Sequence, residues 1–170
     1  MCNAIGNFFR LIIIAATAGA LTLSVFASVS CELVEYNDSG GLTYGFFFRG
    51  IDGNCASEYY ETDDPVINGA RTVLIISMGA GFIAGVMVLF EWLFCEICCA
   101  GVLEGLAFMA AWMLGAASFM FYGSERCTQE GAECTFYDAS GYMTGACILY
   151  VGCNILLCFT PQPEPLCSKK

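Results

Sequence analysis

The side chains with the most varied chemistry in this sequence are its twelve cysteines. Thiols form disulfides, bind metals and carry redox chemistry. No histidine accompanies them, so the commonest general base and metal ligand is missing. The Cys95-x2-Cys98-Cys99 motif has no second pair to complete four ligands, so we predict no metal site. We expect a protein that is not an enzyme and that binds no cofactor.

Four of the cysteines fall into two pairs, each inside a polar segment. Cys31 and Cys55 share the first segment, and Cys127 and Cys134 share the second. Cysteines in this arrangement predict two disulfides on the oxidising side of a membrane, each worth about 2–4 kcal/mol. Asn37 begins an N-x-S sequon, which makes it a candidate glycosylation site and points to the same side.

Six other cysteines are expected near the opposite face of the membrane. Juxtamembrane cysteines are common sites of S-palmitoylation. The alternative is that they are free, buried thiols. The palmitoylation candidates are Cys2, Cys95, Cys98, Cys99, Cys158 and Cys167.

The acidic residues are unevenly distributed. The net charge of −10 argues against a nucleic-acid partner. Eight of the sixteen acids lie between Cys31 and Ala70, where a single arginine leaves a formal charge of −7. Such a rim attracts cations and could line an ion path, although the same acids could simply solvate the loop. The ion-path candidates are Asp52, Glu58, Glu61, Asp63 and Asp64.

A strongly apolar chain must position these side chains. With 58% hydrophobic and 13% charged residues, its expected solvent is the lipid bilayer. A helix of about twenty residues covers the hydrocarbon core of roughly 30 Å. Four segments meet this requirement, with a turn at 94–101 between the second and third: 11–30, 72–93, 102–122 and 142–160. The alternative for the first is a cleaved signal peptide, because Arg10 precedes it and small residues end it.

Four spans place both termini on one side of the membrane and the loops 31–71 and 123–141 on the other. Lysine and arginine are split evenly between the sides, so they do not set the orientation. The cysteine pairs and the sequon favour extracellular loops, and we expect a multi-pass plasma-membrane protein with cytoplasmic termini. Glu91, Glu96 and Glu104 flank the turn between spans, where we expect them to reach headgroup water.

The first loop has the pattern of β-structure. A turn at 37–41 separates Glu32–Tyr36 from Leu42–Arg49, which is rich in aromatic residues. The predicted fold is an all-α membrane protein, a four-helix transmembrane bundle with a small disulfide-braced β-hairpin or sheet in the first extracellular loop. Four aromatics are expected either to form an exposed partner-contact patch or to cover the outer end of the bundle: Tyr44, Phe46, Phe47 and Phe48.

Several short motifs resemble those of claudins. The segment Ile67–Leu74, with Arg71 at the mouth of the second span, is similar to the end of their first loop. Gly81–Ala84 follows as in their second helix, and Gly141–Cys147 and Leu156–Cys158 resemble the start and end of their fourth helix.

The chain also departs from that family. Gly41-Leu42 upstream of Cys55 resembles the G-L-W…C signature of claudins, peripheral myelin protein and epithelial membrane proteins, but Thr43 replaces the tryptophan. The second loop also has its own cysteine pair, unlike that of most claudins.

The resemblance implies a non-enzymatic protein whose first loop mediates lateral assembly or cell-surface contacts, with its own copies or with other membrane proteins. A cation-selective pore lined by the acidic loop is the first alternative. A thiol oxidoreductase that passes electrons from lumenal cysteines to a quinone is the second. Its weakness is that the loop pairs enclose twenty-three and six residues, whereas redox catalysts usually use C-x-x-C.

Overall fold

The computed structural model of the chain describes most of the helical and strand segments. The described residues are 2–36, 42–51, 54–93, 100–124, 127, 134–136 and 138–160.

Four long helices form a transmembrane bundle. They are α1 (Cys2–Val29), α2 (Pro65–Leu93), α3 (Ala100–Ala117) and α4 (Asp138–Phe159), and a 3-10 helix, Ser118–Gly123, continues α3. Each is long and apolar enough to cross a membrane, α3 together with its extension. The predicted four-helix membrane fold is confirmed. Several helices begin earlier than the predicted spans, because hydropathy marks only the part of a helix that suits hydrocarbon.

The helices close into a ring. Helices α1 and α3 each pack against both α2 and α4. Small residues on α2 let side chains from the other helices reach its backbone: Tyr150 of α4 lies against Gly81, and Thr17 of α1 lies against Gly85. Close approach of this kind replaces the hydrophobic drive that is missing between helices in lipid.

A five-stranded antiparallel sheet covers one end of the bundle, called here the sheet end. Its strands are β1 (Val34–Tyr36), β2 (Leu42–Tyr44), β3 (Phe48–Ile51), β4 (Asn54–Tyr59) and β5 (Cys134–Phe136). They are ordered β4-β3-β2-β1-β5. Strand β5 belongs to the second loop and pairs with β1 of the first, Val34 opposite Phe136. Both loops therefore build one sheet.

The predicted strand 42–49 is interrupted at Gly45. The Gly45 amide donates to the Phe48 carbonyl at 2.8 Å, which turns the chain between β2 and β3. A side chain at Gly45 would collide with the carbonyl of Ser30 at the end of α1. Only glycine permits this approach of loop to helix, and the result is two short strands instead of one long one.

Two disulfides brace the sheet end. Cys31 is bonded to Cys55 and Cys127 to Cys134, with Cα–Cα distances of 5.6 and 5.3 Å. These are the pairs that the sequence predicts. The first joins the residues after α1 to β4, and the second joins the segment after α3 to β5.

The hydrophobic core has two parts. The part at the sheet end joins the inner face of the sheet to the helices. Its largest fully buried members include Phe46, Phe121, Leu33 and Ile67. The second part lies deeper between the helices, around Phe108 and Tyr150.

Candidate functional site

Arg71 joins the sheet to helix α2. Its Nε donates to the carbonyl of Phe46 at 2.5 Å, and its Nη2 donates to the carbonyl of Tyr60 at 2.9 Å. Its Nη1 lies 3.1 Å from the Tyr59 hydroxyl and 3.3 Å from Oδ1 of Asn68. One guanidinium thus holds two backbone carbonyls of the loop and a side chain of its own helix. The five donors and planar shape of arginine suit such a multiple contact.

Aromatic rings surround the same guanidinium. Its central carbon lies 4.5 Å from the ring centroid of Tyr60, 5.0 Å from that of Tyr59 and 5.6 Å from that of Phe47. Arg71 is only 4% exposed. Carbonyl oxygens and ring faces therefore stabilise its positive charge away from water.

The start of helix α2 places Arg71 at this position. Oδ1 of Asp64 accepts the amide hydrogen of Val66 at 2.8 Å, which is the N-cap contact of a helix. Pro65 follows at the first helical position, where proline is favoured because its missing N–H would be unpaired. Arg71 lies six residues further, about 9 Å along the helix axis. The guanidinium therefore lies beneath the sheet.

The four aromatic candidates for partner contact mostly face the bundle. Phe46 is fully buried, and its ring lies 5.8 Å from that of Phe121 in an edge-to-face arrangement. Tyr44, Phe47 and Phe48 are half-buried. The prediction of an exposed patch is therefore wrong for Phe46, and covering the end of the bundle is the alternative that the structure supports. Phe46 lies in the bend between β2 and β3, where the alternation of a strand is lost, so the sequence pattern does not show which side chain turns inward.

The acidic candidates for an ion path differ in exposure and in the contacts that they make. Glu61 and Asp63 are exposed and make no hydrogen bond to a described residue, whereas Asp64 is half-buried and caps α2. Of Glu58, only the backbone in β4 is described. Asp52 lies outside the described residues.

Most of the modification candidates fall where the structure gives no side chain. Cys158, near the end of α4, is exposed. Cys2 begins α1, with its backbone alone described. The others lie outside the described residues: Asn37, Cys95, Cys98, Cys99 and Cys167.

A second polar cluster lies at the opposite end of the bundle, called here the turn end, where α1 begins, α2 ends and α3 begins. Nη2 of Arg10 donates to Oε2 of Glu91 at 3.1 Å, with side chains 7% and 8% exposed. Glu104 of α3 is 2% exposed. The expectation that these glutamates reach headgroup water is therefore wrong for Glu91 and Glu104. Glu96 lies outside the described residues.

Helical spacing contains a signal for the burial of Glu104. Glu104, Phe108, Ala111 and Gly115 are the buried residues that follow Ala100 on α3. They recur at intervals of four, three and four, which defines one helix face. Placing Glu104 on the face of Phe108 and Gly115 would have predicted its burial from the sequence.

No protein-family model matches the chain, and a comparison with curated proteins found no match. The resemblance to claudins rests on the motifs quoted above.

Proposed function

We propose that this chain is a non-enzymatic membrane protein of claudin-like type, whose sheet end mediates lateral assembly or cell-surface contacts. The observation that carries the proposal is the attachment of the sheet through Arg71, which holds the loop carbonyls of Phe46 and Tyr60 from inside α2. A contact surface needs such a support, because ordering a flexible loop on binding costs free energy that a preformed surface does not lose.

Further contacts hold the sheet in the same place. The Tyr60 hydroxyl donates to the carbonyl of Gly45 at 2.9 Å, and the Tyr122 hydroxyl donates to the carbonyl of Leu33 at 3.0 Å. The second contact attaches β1 to the end of the third span. Together with the bonds of Arg71 and the two disulfides, these contacts tie the sheet to α2 and to the 3-10 helix, which supports a rigid sheet, called here the platform.

Strand β4 offers the contact surface that we favour. Among the described strands it forms one edge of the sheet, where its backbone groups have no strand neighbour on one side. Its last residue, Tyr59, is 56% exposed although its hydroxyl is bonded to Arg71. A tyrosine held rigidly at a surface is well suited to contact a partner, since few rotamers are lost on binding.

Self-association in cells tests this function. Chemical cross-linking of the intact chain at the cell surface is expected to give oligomers for the wild type and fewer for Arg71→Ala, because that variant frees the sheet. Thr72→Ala is the matched control, since its exposed hydroxyl bonds, among the described residues, to the Asn68 carbonyl of its own helix. A wild type that is strictly monomeric in mild detergent and captures no neighbour in cells would contradict the proposal.

We infer a plasma-membrane location with the sheet end outside and both termini in the cytoplasm. The two disulfides at the sheet end support this orientation, because disulfides persist in oxidising compartments. Glycosidase treatment should shift the mobility of the wild type on a gel but not that of Asn37→Gln. A tag on the C-terminus should be accessible to antibody only after the cells are permeabilised.

A cation path is the second candidate function, favoured by the exposure of Glu61 and Asp63 beside the platform. Neutralising both with Glu61→Gln and Asp63→Asn should lower cation conductance, because their field attracts counter-ions. The charge-conserving exchange of Glu61→Asp with Asp63→Glu is the matched control, since it keeps both carboxylates and should leave conductance nearly unchanged. Equal conductance of the wild type and the double variant would argue for solvation alone.

A further inference from the structure

The turn end of the bundle contains a buried carboxylate oxygen that no described residue binds. Oε1 of Glu104 is inaccessible to solvent and has no hydrogen bond to a described residue. Unsatisfied buried polar groups are uncommon in native proteins, and those that occur call for a specific explanation. An ionised carboxylate accepts hydrogen bonds and cannot donate them, so the missing partner is a proton or a donor.

Two further charged groups interact electrostatically with Glu104, one from each of two other helices. They are Glu91 of α2 and Arg10 of α1. Helix α4, which also packs against α3, has no charged residue after Asp138 at the far end, and its Asn154 lies beside Gly105. Formally, the three groups carry two negative charges and one positive charge.

Arg10 has more hydrogen-bond donors than it uses in bonds to the described residues. Of its five N–H groups, one donates to a described residue, the Nη2 bond to Glu91. The side chain is nevertheless almost fully buried. Both the Arg10 guanidinium and the Glu104 carboxylate thus have hydrogen-bonding capacity that no described residue uses.

We propose that Glu104, with Arg10 and Glu91, forms a binding site for a single proton inside the bundle. Binding forms an O–H bond on the Glu104 carboxylate with a proton delivered from hydronium in the water at the turn end, which leaves a water molecule behind. Glu104 is the fifth residue of α3, about 6 Å from its start, so the distance to headgroup water is short. The bound proton makes the three groups neutral, as the bilayer interior favours.

The site also connects protonation to helix packing. With a proton on Glu104, Arg10 has one carboxylate to hold, that of Glu91 on α2. Release of the proton offers Arg10 a second carboxylate, on α3. Protonation thus determines whether the start of α1 is tied to α2 alone or to both α2 and α3.

Infrared difference spectroscopy on the full chain in lipid nanodiscs tests the proposal. Exposed carboxylates are mostly ionised at both about pH 5 and about pH 9, whereas a buried carboxyl group can take up its proton between these two values. The wild type is expected to gain, on acidification, one carboxyl C=O band at the frequency of a buried, weakly hydrogen-bonded acid. Glu104→Gln should lose this band. Glu61→Gln, which removes an exposed carboxylate, should keep it.

Two outcomes would overturn the proposal. One is a band that persists unchanged in Glu104→Gln, and the other is a wild-type spectrum without any band from a buried acid. The second needs no variant, so it decides the matter even if Glu104→Gln does not fold. Replacing choline with sodium at constant pH separates a proton from a metal cation. Loss of the band in sodium would also overturn the proposal, since it assigns the site to the cation.

Discussion

Replacement of Arg71 by alanine is expected to release the sheet while leaving the four helices in place. The variant loses the two bonds from the guanidinium to the carbonyls of Phe46 and Tyr60. Hydrogen bonds to a charged group contribute about 1.5–3 kcal/mol each, so the local stability of the sheet should fall by about 3–6 kcal/mol. The helices keep their lipid-facing surfaces and their packing against each other.

Arg71→Lys gives an intermediate case. An ammonium group is a compact point charge and cannot reach both carbonyls in the geometry of the guanidinium fork. We expect it to keep one bond, which halves the loss to about 1.5–3 kcal/mol. The graded series from arginine through lysine to alanine separates the loss of bonds from the loss of charge.

Hydrogen exchange of the chain in nanodiscs measures this effect. Because about 1.4 kcal/mol corresponds to a factor of ten, amides of β2, β3 and β4 should lose protection by about 10²–10⁴ in Arg71→Ala. The expected loss in Arg71→Lys is about 10–10². Thr72→Ala should not change it.

Two results would refute this reasoning about Arg71. One is a loss of protection in Arg71→Ala below about threefold, which would mean that the disulfides and the other contacts hold the sheet without the arginine. The other is an equal loss in the central turns of the helices, which would mean that Arg71 stabilises the bundle and not the platform.

Two further predictions concern the helix packing and the disulfides. Gly81→Ala should destabilise the bundle by about 1–3 kcal/mol, because its methyl group would collide with the ring end of Tyr150. Gly79→Ala is the control, because a methyl group there enters open space and should not lower the midpoint of thermal unfolding in detergent. Equal midpoints for the two variants would contradict the close contact between Gly81 and Tyr150. Cys55→Ser should lower the free energy of unfolding by about 3.4 kcal/mol and Cys134→Ser by about 2.4 kcal/mol from loop-closure entropy. The bonds span sequence separations of 24 and 7 residues, and a denaturant titration that gives the reverse order would contradict the entropic origin.

The membrane-spanning helices could be predicted from the sequence because their cause is local. A bilayer requires about twenty apolar residues and a backbone that satisfies its own hydrogen bonds, and both conditions are met within one segment. The disulfide pairs could be predicted from the sequence for a similar reason. Each pair lies within one loop, so no knowledge of how the loops meet was needed.

The composition of the sheet could not be predicted in the same way. The expected hairpin came from the first loop alone, whereas β5 reaches β1 from the second loop. Strand pairing between distant segments depends on where the helices place the loop ends. A three-residue strand such as Cys134–Phe136 is too short for its sequence pattern to predict the strand with which it pairs.

The sequence by itself determined the number of crossings and the cysteine pairs, and it singled out Arg71 at the mouth of the second span. Only the tertiary structure decided that Arg71 holds the sheet, that Phe46 is buried and that Oε1 of Glu104 has no hydrogen-bond partner among the described residues. The physical reason is that hydropathy reports the preference of a segment for lipid, whereas the exposure of one side chain depends on neighbours contributed by distant parts of the chain. Those neighbours are in place only when the four helices and both loops have packed.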